Sequence, residues 1–325
     1  MTLATNHSSS RVRADHTLRL TVTSITESAR GIRTFTLANG APLPGFVAGS
    51  HVMVAAGEHV NAYSLVSDGT HPTEYAISVL RVPDGAGGSR WLHDHVTPGD
   101  SLDVGLPRNG FAPLAHASKH LLIAGGIGVT PIVSHLRSHR RWGRKTQVIY
   151  TFRPGRGAHI DDILDLTGGD AELFTARTDF LSRLHAALRQ QPIGTHLYVC
   201  GPGALIDDAV AAAADAGWPN SRIHLERFGS DNLDAGDPFA VRLTHTGATV
   251  PVPAGVSMLE AIEAAGVVVP NLCRQGVCGE CRIPVSAGIP VHRDLYLSAE
   301  EKVAGGAVMP CVSRAARGCT LEVPL

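Results

Sequence analysis

Four cysteines constrain this chain more than any other feature. Cys273, Cys278, Cys281 and Cys311 follow the spacing C-x4-C-x2-C-x29-C. Thiolates are soft ligands, and this spacing suits a plant-type [2Fe–2S] cluster, with three ligands in one tight loop and a fourth on a distant segment. Gly276 and Gly279 let such a loop curl so that its N–H groups face the inorganic sulfides. A four-cysteine zinc site is the alternative. Zinc sites usually pair two C-x2-C knuckles, however, and only the Cys278–Cys281 knuckle occurs here. Cys319 is left over and reads as a small buried hydrophobe.

Five of the six cysteines crowd into the C-terminal segment, which makes metal binding a better reading than a disulfide framework. Residues 1–16 are polar, without the apolar stretch of a secretory signal, and are expected to form a flexible leader. A cytoplasmic, monomeric protein is expected. Basic and acidic residues balance, 28 against 29, so no excess charge exists to neutralise a nucleic-acid backbone. The longest apolar run, residues 121–133, is broken by glycines and too short to span a bilayer.

Upstream of the cysteines the pattern changes twice. Residues 17–116 contain short β-type runs (18–23, 32–37, 52–55, 75–80 and 102–104) separated by Gly, Pro and Asp, which predicts a small barrel. From 117 to 228, strand patterns at 120–124, 147–152, 172–176 and 196–200 alternate with helical ones, which predicts a doubly wound parallel α/β domain. The polar stretch 229–237 reads as a linker. The last domain, 238–325, opens with strands at 240–243 and 249–252. A helix follows, with Ser257 and Glu260 in capping-box register.

In the α/β domain, HLLIAGGIGVTP (120–131) reads as a strand, a glycine turn and a helix start. Gly125, Gly126 and Gly128 would let a phosphate approach backbone N–H groups at a helix N-terminus. A plain tight turn would look the same. LYVCGP (197–202) ends a later strand at the same carboxyl edge, where ligands of such sheets bind.

The segments NLCRQGVCGEC, VHRDLYLSAEEK and MPCVSRA resemble the ferredoxin module of the phthalate dioxygenase reductase family, which includes vanillate demethylase reductases. That family joins a flavin barrel, a nicotinamide-nucleotide domain and a C-terminal β-grasp [2Fe–2S] ferredoxin, in the order of the three segments here. The resemblance implies that Gly125, Gly126, Gly128, Thr130, Pro131, Cys200, Gly201 and Pro202 line the nicotinamide and pyrophosphate site. Thr130 and Cys200 would stand near the nicotinamide. Arg153 and Arg156 follow a strand near the adenosine end and could grip a 2′-phosphate or face solvent. The family favours NADH over NADPH.

NAYSLVS (61–67) resembles the R-x-Y-S signature of these flavoproteins. It implies flavin contacts at Asn61, Ala62, Tyr63 and Ser64, with Ser64 beside the reactive N5. AGGSRWLH (86–93) resembles the family's phosphate loop, implying Gly87, Gly88 and Ser89 at the flavin phosphate. Asn61 stands where the family carries a phosphate-binding arginine, and Arg90 or Arg81 is expected to compensate. Phe228 matches a family aromatic near the flavin ring. The short phosphate loop favours FMN over FAD. Ser64, Thr130 and Cys200 are thus the expected catalytic residues.

These parts imply a reductase. Nicotinamide yields two electrons at once and the cluster accepts one, so a flavin must stand between them. The expected acceptor is a Rieske-type non-haem iron oxygenase or demethylase. A cytochrome P450 acceptor and a non-turnover redox sensor are the alternatives.

Overall fold

The computed structural model describes residues 17–85, 87–228, 236–271, 274, 276, 279–294 and 296–325. The expected leader, residues 229–235 of the expected linker, and Cys273 and Cys278 lie outside them. The chain divides into two compact units, Met1–Gly201 and Pro202–Leu325.

The first unit opens with strands β1 (Thr17–Ala29), β2 (Ile32–Ala38), β3 (Ser50–Ala56), β4 (His59–Ser64) and β5 (Tyr75–Leu80). Helix α1 (Gly88–His95) and strands β6 (Ser101–Gly105) and β7 (Arg108–Asn109) follow. The strands pair antiparallel in the order β4-β3-β6-β1-β2-β5, with β7 beside β3. Side chains alternate as a half-buried sheet requires: β3 buries Ser50, Val52, Val54 and Ala56 and turns the residues between them outward. Bulges in β1 bend it, so that its first residues pair with β6 and the rest with β2. The bridge Leu65↔Ile77 joins the two edges of the sheet and closes the barrel. Leu92 of α1 belongs to the barrel core.

The same unit continues with β8 (Lys119–Gly125), α2 (Val129–Trp142), β9 (Thr146–Thr151), α3 (Ile160–Thr167), β10 (Glu172–Phe174), α4 (Arg177–Arg189) and β11 (Thr195–Cys200). These strands pair in parallel, in the order β10-β9-β8-β11. Every residue of β11 is buried, as expected of a strand covered on both faces. Two ties fasten α2 to the barrel: Arg137 Nε donates to the Val66 carbonyl at 2.8 Å, and the Gly49 N–H donates to Ser134 Oγ at 3.3 Å. A third runs from Ser78 on β5 through His159 to Asp162, each step 2.8 Å, and on to Arg137.

One packing feature is expected to make this unit sensitive to acid. His120, His135 and His139 bury their rings together, with His120 and His139 centroids 4.1 Å apart. Burial first, then the neighbouring His135 and His120, push the His139 imidazolium down to about 2. Burial lowers His120 as well. The unfolded chain therefore takes up these protons first, near the ordinary value of about 6.5. Stability is complete above that pH and falls as pH drops from there toward 2. The expected slope is about 1.4 kcal/mol per pH unit for each such histidine. Urea midpoints at pH 7.5 and 5.5 check this, and His139→Gln should flatten the difference.

The second unit begins with α5 (Gly203–Asp215) and β12 (Ile223–Glu226). Next come β13 (Phe239–Leu243), β14 (Thr249–Val252), α6 (Met258–Ala264), β15 (Ile283–Pro284) and β16 (Pro290–Val291). It ends with α7 (Ala299–Ala304), β17 (Ala307–Val308), β18 (Arg314–Ala315) and β19 (Thr320–Val323). β13 lies between β14, antiparallel, and β19, parallel, in a small β-grasp sheet. Val241, Leu259, Ile262 and Leu321 are fully buried in its core, which also holds Cys281 and Cys311. The expected capping box forms: the Glu260 N–H donates to Ser257 Oγ at 3.1 Å, and the Ser257 N–H donates to Glu260 Oε2 at 2.9 Å. Ser298 and Glu301 repeat it at α7.

Candidate functional site

In the second unit, Cys281 Sγ and Cys311 Sγ lie 3.3 Å apart although they are thirty positions apart in the sequence. Both are buried and neither is in a disulfide. Two thiols in register without a bond between them fit a shared metal centre, with Cys273 and Cys278 outside the described residues. The glycines between these cysteines are tightly placed. A Cβ on Gly276 would lie 2.5 Å from Val312 Cγ2, and one on Gly279 would lie 2.3 Å from the Tyr296 ring. The loop thus needs its glycines for packing as well as curvature. Cys319 is only half-buried, at the edge of the core, not fully inside it as its residue type suggested.

In the first unit, β4 carries the expected flavin residues. Ser64 is 4 % exposed, and its Oγ has no hydrogen-bond partner. A buried hydroxyl left unmatched costs free energy, which a polar ligand atom at that face would offset. The flavin that the sequence calls for fits this requirement. Tyr63 is half-buried; Asn61 Nδ2 donates to its hydroxyl at 3.3 Å, and burial pushes the phenol up. Ala62, on the opposite face of the strand, is exposed. Gly87 takes a left-handed conformation, φ 113, immediately before α1, and no side chain caps the helix. Ser89 Oγ accepts from the Val82 N–H at 3.2 Å. Arg81 grips Asp94 through two hydrogen bonds, of 3.1 and 2.9 Å. Arg90 is exposed.

The nucleotide turn is built at the carboxyl edge of β8 and β11. Gly126–Gly128 forms a 3₁₀ turn that runs into α2. Gly128 packs so closely on the next strand's end that a Cβ would lie 2.4 Å from the Cys200 carbonyl oxygen and 2.6 Å from the Gly201 nitrogen. A Cβ on Gly201 would in turn stand 3.1 Å from Gly125 Cα. The two expected glycine motifs are therefore one structure. Thr130 Oγ1 donates to the Ile127 carbonyl at 3.0 Å, and Pro131 is buried behind it. Cys200 is fully buried. Arg153 and Arg156 are exposed in the turn after β9. β5 packs against the Gly126–Gly128 turn, which brings the barrel wall to the nucleotide edge.

Sequence reasoning missed three residues here. Tyr150 props the glycine turn, donating to the Gly126 carbonyl at 3.1 Å and accepting from the Ala158 N–H at 3.2 Å. His59 packs against Gly87, where a Cβ would lie 2.7 Å from its Nε2. In the second unit, β12 buries Glu226, whose carboxyl burial pushes up to about 8. Phe228, two residues on, is half-buried. Only the flanking strand pattern hinted at any of the three.

A flavin barrel, a parallel nucleotide sheet and a cysteine-bearing β-grasp on one chain define an electron-transfer reductase. Residues 241–316 match the family model of the 2Fe-2S iron-sulfur cluster binding domain. Residues 105–223 match that of the dimethylamine monooxygenase subunit DmmA-like N-terminal domain. The chain is 37% identical to the phthalate dioxygenase reductase of Burkholderia cepacia, over 93% of this chain and 95% of that one. It belongs to the phthalate dioxygenase reductase family. The solved structure of a phthalate dioxygenase reductase, described as modular for electron transfer from pyridine nucleotides to [2Fe-2S], superposes with a TM-score of 0.68. The identity is 36%, covering 96% of this chain and 98% of that one. A further relative is the heme-dependent oxidative N-demethylase beta subunit of Ectopseudomonas mendocina (strain ymp). It is 40% identical over 93% of this chain and 96% of its own. No described helix is long and apolar enough to cross a membrane.

Proposed function

We propose that this chain takes a hydride from NADH onto FMN and delivers electrons singly, through a [2Fe–2S] cluster, to a partner oxygenase. The observation that carries this is the convergence of the Cys281 and Cys311 thiols at 3.3 Å, in a chain that also holds a nucleotide turn. Residues 17–116 would hold the flavin, 117–228 the nucleotide and 238–325 the cluster. Bound flavin exchanges a two-electron donor for a one-electron acceptor. The chain's own residues bind, orient and exclude water. Ser64 offers an unspent hydroxyl at a dry face, where a hydrogen bond is stronger than in water. Gly128, Cys200 and Gly201 bring two turns together, where backbone N–H groups would serve one ligand. Thr130 is held in place by its bond to Ile127. No side chain is required to move a proton in hydride transfer.

Anaerobic addition of NADH to the purified protein should bleach both a flavin and a cluster absorbance within one mixing time. Persistence of the colour would overturn the proposal. NADH should be preferred over NADPH by at least about tenfold in kcat/KM, about 1.4 kcal/mol. An equal or reversed preference would make Arg153 and Arg156 a 2′-phosphate clamp.

The acceptor we propose is a Rieske-type oxygenase or demethylase, as the phthalate dioxygenase relative suggests. The match to the N-demethylase beta subunit and to the DmmA-like model favours a second acceptor, a heme-dependent N-demethylase subunit. Oxygen uptake with each purified oxygenase separates the two.

A further inference from the structure

We propose that Tyr150 is a positioning residue that couples the two halves of the nucleotide site, so that binding of one half of NADH tightens the other. The inference rests on the nucleotide reading above. Tyr150 lies on β9 and is fully buried. Its hydroxyl donates to the Gly126 carbonyl at 3.1 Å and accepts from the Ala158 N–H at 3.2 Å. One oxygen thus joins two segments that are distant in the sequence. The first is the glycine turn, read above as the pyrophosphate and nicotinamide end. The second closes the loop after β9, which carries Arg153 and Arg156 at the expected adenosine end. Burial pushes the phenol up, so its proton stays on the oxygen and remains available to the carbonyl.

The two ends of this brace are held differently. Gly126 takes a left-handed conformation, φ 53, and a Cβ there would meet no atom within 4 Å. Packing therefore does not fix that peptide, in contrast with Gly128. Its carbonyl also accepts from the Val129 N–H, but that bond stays within the turn, whereas the tyrosine ties the turn to β9. At the far end Ala158 is fully buried. The next residue, His159, bonds to Ser78 and to Asp162, each at 2.8 Å. His159 is left-handed at φ 59, which a non-glycine residue holds only where its surroundings fix it. The brace runs from an anchored loop end to a turn that packing leaves loose.

NADH is two mononucleotides joined through a pyrophosphate. A half that orders the turn also orders the loop through Tyr150, and so lowers the entropy that the second half must lose. A fixed spacing also makes the second contact of the whole dinucleotide an intramolecular one. Without the hydroxyl each half should bind alone nearly as before, and the synergy between them should be lost.

Tyr150→Phe removes the hydroxyl and keeps the ring, which packs on Phe152 with centroids 4.7 Å apart. The test uses the full chain with its cofactors and oxidised ligands, so that no electron moves, and reads dissociation constants by calorimetry. In the parent, saturating AMP should tighten nicotinamide mononucleotide by about fivefold or more. In Tyr150→Phe that factor should fall below about twofold, and NAD⁺ should weaken by about fivefold or more. AMP alone should change by no more than about twofold. Absence of synergy in the parent would overturn the proposal without any variant, which keeps the test decisive if Tyr150→Phe folds poorly. Synergy retained in Tyr150→Phe would overturn it as well. So would equal losses for NAD⁺ and for each half alone, because the hydroxyl would then only shape the turn. Failure of the parent to bind NAD⁺ at all would instead refute the nucleotide reading.

Discussion

Replacing Cys311 with serine is expected to abolish electron delivery to one-electron acceptors while NADH still bleaches the flavin. Cys311 is 7 % exposed, and its sulfur lies 3.3 Å from that of Cys281. A serine hydroxyl is a harder and weaker ligand for a site built of thiolates. It would also leave a polar group in the core of the β-grasp. The β4 residues proposed to face the flavin belong to the other compact unit, so their chemistry should persist. Cytochrome c reduction should fall at least about a hundredfold, which corresponds to roughly 2.7 kcal/mol of lost barrier lowering. The iron content and the paramagnetic resonance signal of the reduced protein should vanish with it. Parental iron content and an unchanged signal would remove Cys311 from the ligand set, and with it the [2Fe–2S] reading of the spacing.

Gly128→Ala should have the next largest effect, and on a different step. The added methyl would fall 2.4 Å from the Cys200 carbonyl oxygen and 2.6 Å from the Gly201 nitrogen. Those are backbone atoms at the ends of paired strands, so no rotamer change relieves the overlap. The two turns must part. Overpacking of this kind costs about 1–3 kcal/mol of stability. A displacement of about 1 Å at a positioning element can cost about a hundredfold in rate. The expected result is a nucleotide KM at least about tenfold higher, with flavin content and the cluster spectrum unchanged. Parental kinetics would show that this turn does not position the nucleotide.

Most of the fold was legible because its signals are local. Alternation in β3, the buried run of β11 and the Ser257–Glu260 box each express a period or a cap within a few residues. α7 carried the same signal, Ser298 with Glu301 three residues on, and the sequence reading passed over it. α3 was harder to read. Its preceding His159 sits at φ 59 with no side-chain cap, so the usual start mark is missing.

The cysteine spacing determined the cluster from sequence alone, because ligand softness and loop reach are properties of a short segment. The glycine turns and the β4 strand likewise marked where ligands are expected. Tertiary structure alone decided which side chains are available to them. Asp94 claims Arg81, and His59 packs against Gly87, twenty-eight positions away. Closure of the barrel and packing of α2 bury Ser64 without a partner and gather three histidines into one apolar cluster. These outcomes depend on register and packing between distant segments. A charge, a hydroxyl or an imidazole has the same formula whether it ends up paired, stranded or exposed, and only the folded neighbourhood sets its free energy.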